Sequence, residues 1–138
     1  MPQPPTALIA LVIAALASGT AAPQDVNKAA QSVKDVMTTM TVPASDAIFS
    51  AASEPPKDDA QWVALRASVA TLAESGRLLA TTGPAKKDAD WIELARALVT
   101  KAEATFKAID VKDPEGLAQA GDSVYLTCAA CHARYKNQ

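Results

Sequence analysis

The chain is poor in the side chains that most often carry chemistry: of its 138 residues one is histidine, two are cysteine and six are aromatic. A lone histidine excludes a bis-imidazole site within one chain. Two cysteines and one histidine fall short of the four ligands of a structural zinc site. No block of lysine or arginine occurs, and 13 basic residues against 15 acidic ones leave a formal net charge of −2. That balance argues against nucleic acid and against anionic membrane surfaces as partners. The longest apolar run, residues 7–17 (ALIALVIAALA), is too short to span a bilayer. No segment alternates with period two for long enough to make a strand.

What is present begins with that apolar run. It is followed by Ser18, Gly19, Thr20, Ala21 and Ala22, the small residues of a secretory cleavage zone. Residues 2–6 hold no Lys or Arg, so the amino terminus supplies the n-region charge. Cleavage is expected after Ala22, with Ala17 and Ala21 as alternatives. Residues 1–22 then form a signal peptide and residues 23–138 one domain, exported to the periplasm. No cysteine lies near this boundary, so no lipid anchor is indicated and no stable membrane anchor is expected.

The rest of the chain reads as helix, rich in alanine and with an apolar stripe at intervals of three and four. The first helix is expected from about Asp25 to Thr41, with Val26, Ala29, Ala30, Val33, Val36, Met37 and Met40 on one face. Pro43 is expected to interrupt it, opening a further short piece (PASDAIFSAAS) before the helix-breaking prolines of SEPPK. The second helix starts at Asp58 or Asp59 and runs to about Ala80, with Trp62, Leu65, Val69, Leu72, Gly76 and Leu79 inward. The third opens at Asp88 and turns Trp91, Leu94, Leu98, Ala102, Phe106 and Ile109 to one side. In the fourth, Asp113 caps, Pro114 takes the first helical position, and Leu117, Gly121, Val124, Cys128, Cys131 and Tyr135 share a face. A faint repeat, DAQWVAL at 59–65 and DADWIEL at 88–94, places a tryptophan near the start of two helices. Short connections marked by Pro and Gly imply antiparallel neighbours. The expected fold is all-α, an antiparallel four-helix bundle.

Both cysteines and the only histidine fall within five residues, in LTCAACHARYKNQ. A redox dithiol places C-x-x-C at a helix N-terminus, where the helix dipole lowers the thiol pKa; here the motif lies deep inside a helix. A disulfide between Cys128 and Cys131 is awkward within a regular helix. C-x-x-C-H fits covalent haem attachment, with both thiols as thioethers and His132 as proximal iron ligand. Export agrees, since c-type haem is attached outside the cytoplasm.

The pattern Cys128, Cys131, His132, Tyr135, Lys136 resembles the C-terminal signature of the class II cytochromes c, the cytochrome c′ group. The resemblance implies one covalent haem c in a four-helix bundle, with Tyr135 packed under the proximal side of the haem and Lys136 near its edge. In that family an Arg usually stands a few positions before the distal residue of the first helix; this chain has Lys34 there. From the residues alone the sixth iron position is open to Met37, Met40, a lysine, water or nothing. The resemblance favours Met37, because SVKDVMTTM is similar to the segment that supplies an axial methionine in low-spin members. It implies an electron carrier with His132/Met37 coordination and a redox partner protein. The alternative it carries is a five-coordinate haem that binds nitric oxide or carbon monoxide. No enzyme is expected, since no distal histidine or acid–base pair is apparent. Family members commonly dimerise through the first two helices, and Ala29, Ala30 and Ala47 permit a homodimer. Arg66, Arg77, Arg96 and Arg134 read mainly as solvated charges.

Overall fold

A computed structural model describes residues 32–86 and 88–136; the expected signal peptide at 1–22 and the first residues of the first expected helix lie outside them. The helix does not run through residue 32 as expected: Ser32 is extended and caps a helix that begins at Val33, its hydroxyl accepting from the Asp35 N–H while the Ser32 N–H donates to the Asp35 carboxylate. The described residues are all-α. A first rod is made of α1 (Val33–Val36), a π-helical turn (Met37–Thr41) and α2 (Val42–Ser53). It is followed by α3 (Asp59–Leu79), a short 3-10 turn (Gly83–Lys86), α4 (Ala89–Asp110) and α5 (Pro114–Tyr135).

Pro43 does not interrupt the first helix, contrary to the expectation from sequence. A proline inside an α-helix lacks the N–H of the i→i−4 ladder and pushes against the carbonyl four residues back. Here the turn before it widens to π geometry, with the Val42 N–H donating to the carbonyl of Met37 five residues earlier. The Thr41 hydroxyl follows the same spacing, donating 3.4 Å to the Val36 carbonyl. The rod therefore passes through Pro43 unbroken. π turns of this kind are often found at functional sites.

The other ends form where their residues dictate. The Asp58 side chain accepts from the Gln61 N–H, Asp88 from Asp90 and Trp91, and Asp113 from Glu115, so each caps a helix N-terminus. Beyond α3 the chain turns at Gly83, whose φ of +66° is easily reached only without a side chain.

Each helix packs on its chain neighbours, and the first rod closes against α5. Cross-helix pairs give the direction: Arg66 meets Asp110 and Arg77 meets Glu103, so α3 and α4 run antiparallel. Trp91 meets Tyr135 while Gly116 lies by Ala108, and Phe49 meets Tyr125 while Gly121 lies by Ala52. Adjacent helices are thus antiparallel around the ring. The core is built from the expected stripe, with Trp62, Leu65, Val69, Leu72, Leu79, Trp91, Leu98, Ala102, Ile109, Leu117 and Val124 buried. Because α3 and α4 run oppositely, the repeated tryptophans plug opposite ends of the molecule. Trp91 stands at the end that carries Cys131 and His132.

Candidate haem site

An apolar cavity of about 300 Å3 opens at that end, between the first rod, α4 and the last turns of α5. It is bordered by Met37 from the π turn, by Trp91, Leu94, Ala95 and Leu98 from α4, and by Cys128, Cys131 and His132 from α5. Helix periodicity explains the grouping. Cys128, Cys131 and His132 lie at i, i+3 and i+4 and share one face of α5. The π turn presents Met37, and steps of four carry the same wall down through Thr41, Ser45 and Phe49.

Met40 does not border the cavity, although it is half-buried. The structure therefore separates the two methionines that the sequence left as neighbours on one face. Lys34 and Lys136 are exposed and stand outside the lining. Tyr135 also stands outside it, half-buried behind Trp91, with ring centroids 5.0 Å apart at 85°. Its hydroxyl donates 2.6 Å to Asp88 Oδ2. Arg66 and Arg77 are tied to acidic residues on neighbouring helices, and Arg134 pairs with Asp90.

The electrostatics of the cysteines bear on their chemistry. Both are free thiols, half-buried against the core. Burial pushes both thiols above the ordinary value of 9.0, and the neighbouring Cys131 adds to the rise at Cys128. Such groups stay protonated near neutral pH, the opposite of the lowered pKa that makes a reactive dithiol. Among the described residues no three His, Cys, Asp or Glu side chains converge as a metal-ligand set.

The cavity suits an apolar group better than a polar one. Its buried hydroxyls are internally satisfied: Thr41 donates to the Val36 carbonyl, and Ser45 donates 3.0 Å to the Val42 carbonyl. Two thiols, an imidazole and a thioether lie on its border; thiols of this kind can bond a porphyrin edge, and an imidazole and a thioether can ligate an iron. Sequence reasoning missed Thr41, Ser45 and Phe49 as part of this wall. The signal was the four-residue step from Met37, hidden because two of its members are polar.

A larger concavity, about 790 Å3, is an open groove between α2 and α3 that holds no cysteine, histidine or methionine. Among the described residues no helix is long and apolar enough to cross a membrane. Comparison with protein-family models, with curated proteins and with solved structures found no match to this chain.

Proposed function

We propose that the chain is a periplasmic c-type cytochrome of the class II kind, an antiparallel four-helix bundle that holds one covalent haem and passes single electrons to a redox partner protein. The observation that carries this reading is the cavity on which Met37 meets Cys128, Cys131 and His132, while Met40 lies apart. Cys128 and Cys131 would hold the porphyrin as thioethers, and His132 and Met37 would be the donors to its iron. The haem supplies the one-electron chemistry; the protein supplies its ligands and a dry surround. Leu79, Trp91, Ala95 and Leu98 form a wall without charge, which keeps water from the group and limits reorganisation when its charge changes. A methionine thioether bound to the iron would favour its reduced state.

An optical spectrum of the reduced protein, with and without carbon monoxide, tests the proposal. A low-spin spectrum unaffected by the gas is expected. A high-spin spectrum that shifts with carbon monoxide would replace electron transfer by gas binding at the same haem.

A further inference from the structure

The last turn of α5 carries His132, an exposed residue close to the end of its helix. Helix ends open locally at little free-energy cost unless tertiary contacts hold them. Contacts from the start of α4 and its N-cap hold this one. Arg134 pairs with Asp90, and the Tyr135 hydroxyl donates 2.6 Å to Asp88 Oδ2. Arg134 also lies 5.6 Å above the Tyr135 ring, whose other neighbour is Trp91.

Asp88 is the more informative partner, because its two oxygens do different work. Oδ1 caps α4, accepting from the N–H of Asp90 at 3.0 Å and of Trp91 at 3.3 Å. Oδ2 accepts from Tyr135. Ser or Asn would satisfy the cap equally well. A carboxylate offers a second acceptor while the first stays fixed to the helix, so Tyr135 is anchored to an atom that cannot swing away. Tyr135 in turn lies three residues after His132 on the same turn, and the Lys136 N–H donates 3.1 Å to the His132 carbonyl. The bond thus reaches from the start of α4, beside Trp91, to the backbone that carries the imidazole.

We propose that Asp88 is a positioning residue for His132, acting through Tyr135: it fixes the final turn of α5 so that the imidazole keeps one orientation toward the cavity. This rests on the haem reading of the site. Outer partners that orient a metal-ligating histidine change its metal affinity or activity by about 10- to 100-fold, so a measurable change at the iron is expected when the anchor is cut.

The test uses the exported holoprotein and three variants: Asp88→Ser, Tyr135→Phe and the double substitution. Serine preserves the cap with one oxygen and phenylalanine preserves the ring against Trp91, so far-UV circular dichroism should remain that of the wild type. Pyridine haemochrome analysis first counts covalent haem. The midpoint potential is then measured, together with the visible spectrum of the ferric form. Each single variant should shift the reduced-to-oxidised ratio at a fixed solution potential by about tenfold, equivalent to 59 mV for one electron. The double variant should shift no further, since both changes cut one bond. Potentials and spectra equal to the wild type, with only the melting temperature lowered, would overturn the positioning role and leave the haem reading standing. Additive shifts would also overturn it. A wild-type chain without covalent haem would remove the haem reading itself and this role with it.

Discussion

The Trp91 indole Nε1–H donates 2.6 Å to the carbonyl oxygen of Leu79, so a residue from the start of α4 satisfies a carbonyl in the last turn of α3. Those last carbonyls have no partner within their own helix. Both residues are buried and both border the cavity, so the bond also shapes one of its walls. Trp91→Phe should leave the carbonyl only its 3.3 Å bond from the Thr82 N–H and the wall thinner, at a cost of about 1–3 kcal/mol. Urea unfolding of the holoprotein measures this, and a change below about 1 kcal/mol would show that the bond contributes little.

Gly76 sits where α3 and α4 approach closely. A Cβ there would lie 2.8 Å from Val99 Cγ2, 3.1 Å from the Ala95 carbonyl oxygen and 3.2 Å from the Val99 nitrogen. Two of those atoms are backbone, so α4 itself would have to move. Overpacking of this kind costs about 1–3 kcal/mol. The gain in helix propensity from Gly to Ala returns only about 1 kcal/mol. Gly76→Ala is therefore expected to lower the melting temperature, whereas the same change at an open helical glycine would raise it.

The Asp88–Tyr135 bond makes stability depend on pH at both extremes. The hydrogen bond from Tyr135 holds the Asp88 carboxyl below its ordinary 3.8, aided by the two backbone N–H groups that it caps. Partial burial, with the Asp88 bond second, pushes Tyr135 up to about 12 from 10.0. A lowered carboxyl pKa means stability that is present above pH 3.8 and lost as the pH falls through the lower folded value. A raised phenol pKa means stability that is present below pH 10 and lost as the pH rises toward 12. Tyr135→Phe should flatten the alkaline loss between pH 10 and 12 in urea titrations. Asp88→Ser should flatten part of the acid loss below pH 3.8. Curves parallel to the wild type at both ends would contradict the pairing.

Met37 and Met40 make opposite predictions. Met37→Ala should turn the ferric spectrum high-spin, remove the long-wavelength iron–sulfur band, admit carbon monoxide and lower the potential. Met40→Ala, half-buried and away from the cavity, should keep the band and cost about 1–3 kcal/mol of stability. Loss of the band in Met40→Ala instead would move the axial ligand by one turn.

Much of this arrangement was legible in the sequence, because it rests on local rules. Asp58, Asp88 and Asp113 cap where a short acceptor precedes an apolar stripe, and Pro114 follows as a first helical residue. The buried faces of α3 and α5 follow their three- and four-residue spacing. Pro43 misled because its effect depends on what the preceding turn can do, and widening to π geometry is not written in residue types. The partner of Tyr135 was hidden for another reason: Asp88 lies 47 positions away and reads first as a helix cap. The grouping of Met37 with Cys128, Cys131 and His132 likewise needs the first and last rods side by side, which only the closed ring of helices provides.

Electron transfer at this site requires haem bonded to the chain through Cys128 and Cys131. Extraction of the denatured, exported protein with acidified acetone tests this directly, with the mass of the intact chain read afterwards. The colour should stay with the protein, the mass should exceed that of the chain by one haem, and replacing both cysteines by alanine should abolish both results. Haem that passes into the solvent, or a chain mass with nothing added, would contradict the account.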